Sequence, residues 1–69
     1  MTVDELKEAW RTRAPVKYRN FRREETEYRI SALIYRRDDK NGPFLQVELL
    51  DKRANSVVIA APRDIHPVN

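Results

Sequence analysis

Apolar and polar positions change their spacing along the chain, and each change marks an element. From Met1 to Arg13, Val3, Leu6 and Trp10 recur at helical spacing with Ala9 beside them. This predicts a helix over about 2–13 with one narrow apolar stripe. Thr2 and Glu5 stand three apart, as a capping box requires, and Met1 and Leu6 are placed for a hydrophobic staple across the cap. Asp4 and Glu5 fall in the first turn and Arg11 and Arg13 in the last, both suited to the helix dipole. Pro15 disfavours α geometry at Ala14 and ends the helix there.

After Pro15 the period shortens to two. Val16 and Tyr18 alternate with Lys17 and Arg19, predicting a strand over about 15–19, and a charged loop follows from Asn20 to Glu25. The next strand, about 27–37, places Tyr28, Ile30, Ala32 and Ile34 on one face and Leu33 and Tyr35 on the other. Asp38 to Pro43 is turn chemistry, with Asn41-Gly42 suited to positive φ. A strand over about 44–51 then carries Leu45, Val47 and Leu49 on one face. An even-length loop of two or four residues would set Ile30, Ala32 and Ile34 beside Leu45, Val47 and Leu49, and a slip of one residue would expose the set. A second turn, Asp51 to Asn55, contains in Asn55 its residue most tolerant of the left-handed region. The strand over about 56–61 follows, and an odd-length loop would bring Val57 and Ile59 onto the face of Val47 and Leu49. Pro62 to Ile65 reads as one helical turn opened by proline, with His66 to Val68 as a last extended piece. The expected fold is mainly β (α+β), a single domain over 1–69 in which the helix packs on an antiparallel meander or small barrel.

Composition narrows the picture. A chain of 69 residues without cysteine has no disulfide framework and no thiolate zinc site. At this size only about 60% of the unfolded chain's surface is buried, so stability rests on a small core or on a partner subunit. The acidic start, Thr2 to Glu5, lacks the apolar stretch of a secretory signal, and no apolar run nears the ~18 residues of a membrane span. The expected location is cytoplasmic. The net charge of +3 is small, but its distribution is uneven: Arg11, Arg13, Lys17, Arg19, Arg22 and Arg23 form a run without an acid.

Candidate chemistry is sparse. His66 is the single histidine, with Asp64 two residues away, and a metal or catalytic site would want a further imidazole, cysteine or convergent carboxylate. Glu24, Glu25 and Glu27 lie among Arg22, Arg23 and Arg29, with nothing to drive their pKa values apart as acid–base work requires. Gly42 is the only glycine, which excludes a phosphate-binding glycine loop. Ser31 and Ser56 have no recognisable histidine partner. No catalytic, cofactor-binding or metal-binding residue is assigned, no small-molecule substrate is evident, and the expectation is a protein that is not an enzyme. Two surfaces remain. The basic run could contact phosphates, with Tyr18 and Phe21 stacking on bases; equally, its members could be solvated positions, with Tyr18 in the core. The second sheet face, Leu33, Tyr35, Phe44, Leu50 and Val58, is too apolar to be fully wetted. Either the helix covers it through Val3, Leu6 and Trp10, or it forms a dimer or partner face.

In layout the chain resembles the SH3-like barrel: short strand (Val16 to Arg19), charged loop, three-strand meander (Tyr28 to Arg37, Phe44 to Leu50, Ser56 to Ala61), helical turn and final piece (Pro62 to Val68). Peptide-binding SH3 domains cluster acids and aromatics on their first long loop. Here Asn20 to Glu27 offers acids but only Phe21, so proline-peptide binding is not implied. The stretches Tyr28 to Arg37, Leu49 to Lys52 and Asn55 to Ile59 also resemble short uncharacterised proteins of phages and conjugative elements of gut Firmicutes. That resemblance implies a bacterial accessory protein of a mobile genetic element and no particular activity. The sequence leads to a non-catalytic protein-interaction module, able to act as a homodimer, with a small basic nucleic-acid-binding protein as the alternative.

Overall fold

A computed structural model of the protein describes residues 1–19, 25–51 and 55–68. Helix α1 spans Val3–Thr12 and is followed by strands β1 (Pro15–Arg19), β2 (Glu25–Asp38), β3 (Gly42–Asp51) and β4 (Ser56–Ala60). A 3₁₀ turn (Pro62–Asp64) and a short strand β5 (Ile65–Pro67) complete the chain. The strands form one antiparallel sheet in the order β4-β3-β2-β1-β5.

The helix begins as its sequence dictates. Thr2 Oγ1 accepts from the Glu5 N–H at 3.2 Å, and the Thr2 N–H donates to Glu5 Oε1 at 2.8 Å. That backbone N–H, and secondarily the Thr2 hydroxyl, hold the Glu5 carboxyl below its ordinary pKa. The helix ends one turn before Pro15: Arg13 takes the left-handed conformation at φ 58°, and the Arg13 and Ala14 N–H groups close on the carbonyls of Trp10 and Ala9. The expected apolar stripe is corrected. Only Leu6 and Ala9 are buried, whereas Val3 and Trp10 are nearly half exposed. Met1 packs against the core, and its amino group donates to the Ile65 carbonyl at 3.1 Å, tying the start of α1 to β5.

The β2–β3 hairpin corrects the expected register. Asp38 pairs with Gly42, so the loop is Asp39-Lys40-Asn41, odd in length. Asp38 shapes it by accepting from the Lys40 N–H (2.8 Å) and Asn41 Nδ2 (3.2 Å), and Gly42 supplies the positive φ of 76°. An odd loop pairs odd residues with odd, so Leu33 faces Val47 and Tyr35 faces Leu45, while Ala32 and Ile34 turn to the opposite face with Glu48 and Gln46. A β-bulge between Ile30 and Ala32 then adds one residue, Ser31, to β2. Beyond it Ile30 pairs with Leu49. The inward set along β2 is thus Tyr28, Ile30, Leu33 and Tyr35. The β3–β4 connection is likewise of opposite parity to that expected: Asp51 pairs with Ser56, so Val58 faces Leu49 and Ala60 faces Val47. Val57 and Ile59 point outward. Asn55 holds positive φ at 51°, in keeping with its expected tolerance.

The core lies between α1 and the inner sheet face. Leu6, Val16, Val47, Leu49 and Ile65 are sealed from solvent, with Ala9, Tyr28, Ile30 and Ala60 nearly so. Leu33, Leu45, Val58 and Tyr18 pack on its margin.

Candidate functional site

The fold scatters the basic run. Arg11 is held along the helix by a bidentate pairing with Glu8, its Nε donating to Oε2 at 3.0 Å. This contact lowers the Glu8 pKa and raises that of Arg11. Lys17 and Arg19 stand opposite Glu27 and Glu25 across the β1–β2 ladder, so each cation faces an acid. Tyr18 turns inward and packs edge-to-face on Tyr28, ring centroids 5.8 Å apart at 78°, which removes it from base stacking. Phe21, Arg22 and Arg23 lie outside the described residues, as do Glu24, Lys52 and Arg53. Of the described members, Arg13 and Arg19 reach depressions of the surface, Arg19 one that it shares with carboxylates and Arg13 one without them.

The expected partner face is redistributed by the two parity changes. Leu33 and Val58 belong to the core margin, and Tyr35 shares their inward parity although it is largely exposed near the end of the hairpin. Phe44 and Leu50 remain on the outer face. There they join residues that sequence reasoning assigned to the core: Ala32, Ile34, Val57 and Ile59. Val57 is 55% exposed, Ile59 47% and Phe44 39%. The outer face of the β3–β4 end is therefore an apolar surface, interrupted by Glu48 beside Ile59 and Gln46 beside Ile34. Alternation alone could not find it, because the signal sits in the loop parity.

The two outermost strands differ in chemistry. Strand β5 has three residues and ends on Pro67, features that blunt an edge against further pairing. Strand β4 reads Ser-Val-Val-Ile-Ala, with no charge, proline or bulge, and its one strand partner among the described residues is β3.

A cleft of about 300 Å³ opens between the C-terminal end of α1 and the bulged part of β2, lined by Trp10, Arg13, Arg29, Ile30, Ser31 and Leu50. Elsewhere, Arg19, Glu25, Asp64 and His66 share a depression of mixed charge, so the expected Asp64–His66 pair gains neighbours from β1 and β2. Glu25 and Glu27 are exposed. Among the described residues no three His, Cys, Asp or Glu side chains gather to hold a metal ion. No described helix is long and apolar enough to cross a membrane. No protein-family model, curated protein or solved structure matches the chain.

Proposed function

We propose that the protein is a non-catalytic protein-interaction module that accepts a strand of its partner along the β4 edge. The observation that carries this reading is the exposure of Val57 and Ile59 on an edge strand without charge or proline. Edge strands of monomeric proteins are ordinarily guarded by such devices, because their free N–H and C=O groups template pairing with another chain. An added strand would satisfy those groups through main-chain hydrogen bonds. Its outward side chains would lie beside Val57 and Ile59, which provide selectivity. Phe44, Leu50 and Ile34 extend the apolar surface behind it.

The architecture supports an SH3-like barrel for this module: the order β4-β3-β2-β1-β5, one long strand carrying a bulge at its middle, and a 3₁₀ turn leading into the last strand. The resemblance of Tyr28 to Arg37 and of Asn55 to Ile59 to short proteins of mobile elements supports a bacterial, cytoplasmic accessory role.

A photo-crosslinking amino acid placed at Ile59, and separately at Asp39 on the hairpin loop, tests the reading in the producing cell. Protein adducts from position 59 that are absent from position 39 are expected. No adduct at 59, or the same adducts at both positions, would overturn it. Sedimentation of the pure protein over a concentration series then tells a second copy from a different partner.

A further inference from the structure

The cleft beside the bulge is lined by cations without a counter-charge. Its lining holds two arginines, a tryptophan, two aliphatic side chains and a serine, and no carboxylate. Arg29 stands between Pro15 on β1 and Leu50 on β3, so no acid lies directly opposite it, unlike Lys17 and Arg19. Among the described residues Arg13 and Arg29 make no ion pair or side-chain hydrogen bond, whereas Arg11 is held by Glu8 and Arg36 by Gln46 at 2.6 Å. Arg13 also occupies a left-handed helix cap at φ 58°, a position that favours glycine or asparagine. The fold thus lines one cleft with two uncommitted arginines and with Trp10, a residue that is 48% exposed.

We propose that this cleft binds a nucleotide unit, its base against Trp10 and its phosphate held by Arg13 and Arg29. A guanidinium fork matches two phosphate oxygens, and an exposed indole face stacks on any base. Ile30 and Leu50 are the aliphatic residues of the lining. The Ser31 hydroxyl donates to the Glu48 carbonyl at 3.2 Å, so its proton is committed, and the arginines are the cationic donors of the lining. At about 300 Å³ the cleft is at the lower end of ligand-pocket volumes and suits one nucleotide rather than a stacked run. The unit could come from a free nucleotide or from a single strand of RNA or DNA. The proposal does not rest on the β4 reading: no β4 residue lines the cleft, and Leu50 alone is shared with the apolar surface behind that edge.

Trp10 is the only tryptophan, so its fluorescence reports on this cleft alone. The full chain is titrated at low salt with adenosine monophosphate, adenosine, inorganic phosphate and a short oligoadenylate. Saturable quenching by the monophosphate or the oligonucleotide is expected, at least tenfold tighter than by adenosine or phosphate. Preference for the monophosphate would assign a free nucleotide, and preference for the oligomer a nucleic-acid strand. Arg13→Gly suits the backbone at that position, so it should fold at least as well as the parent while weakening binding about tenfold; Arg29→Lys should weaken it less than Arg29→Ala. Lys17→Ala, outside the cleft, should bind as the parent. The proposal is overturned by an absence of saturable quenching into the millimolar range, by equal loss on Lys17→Ala, or by full binding in Arg13→Gly combined with Arg29→Lys. Ile59 crosslinking is read separately, so either proposal can fail without the other.

Discussion

Leu6 is the main anchor of α1, and truncating it tests how helix and sheet are joined. Ten helical residues are too few to persist alone in water, so the helix depends on what it buries. It buries only Leu6 and Ala9, and Leu6 is fully sealed. Deleting a buried leucine to alanine costs about 2.7–5 kcal/mol, the transfer energy of the lost atoms plus the cavity they leave. A domain of this size has roughly 3–10 kcal/mol of stability in total. Leu6→Ala therefore removes between about a quarter and all of it. Val3, 41% exposed, provides the control: Val3→Ala should cost under about 1 kcal/mol, because much of its surface is already in water. Urea unfolding followed by far-UV circular dichroism measures both variants. Trp10 fluorescence, recorded in parallel, reports whether α1 leaves the sheet before the sheet unfolds; coincident curves are expected of one cooperative unit. A Leu6→Ala variant within about 1 kcal/mol of the parent, or one more stable than Val3→Ala, would refute the packing described above.

Two further predictions concern single polar groups. Thr26 Oγ1 is buried with no hydrogen-bond partner among the described residues, so Thr26→Val should raise stability by about 1 kcal/mol, seen as a higher urea midpoint with an unchanged slope. The carboxyls of Glu5 and Glu8 are held below their ordinary pKa by the Thr2 N–H and by Arg11, so each favours the folded state above the unfolded carboxylate pKa and loses that contribution as pH falls through its lowered folded value. The urea midpoint should decline through the acidic range, and Glu5→Gln should flatten part of that decline.

The local signals in this chain were legible as they stand. The capping box at Thr2 and Glu5, the left-handed Asn55, the turn at Asp38 to Gly42 and the proline-led turn after Ala61 all appear where short-range chemistry places them, because each involves residues a few positions apart. Strand positions followed from period-two alternation for the same reason. The alternation also carried a trace of the bulge: Tyr28 and Ile30 are even, Leu33 and Tyr35 odd, and the break falls at Ser31. Both sets are apolar enough that either could be read as the inner one.

Tertiary structure decided which set that was. A three-residue hairpin loop moved Ala32 and Ile34 outward, one extra residue in β2 returned Ile30 to the inner face, and the β3–β4 pairing exchanged Val57 and Ile59 for Val58 and Ala60. A change of one residue in a loop reverses every side chain beyond it, and no local propensity weighs that choice; the burial of the whole face does. The same holds for charge. The run from Arg11 to Arg23 is continuous in the sequence, yet cross-strand acids meet Lys17 and Arg19, and Glu8 meets Arg11. Arg29, from outside the run, comes to the cleft of Arg13 and Trp10 because β2 bulges beside the end of the helix. The amino-acid order by itself determined the helix, its cap, the strands and the turns. Which side chains meet across them depended on strand register, a property of the assembled sheet.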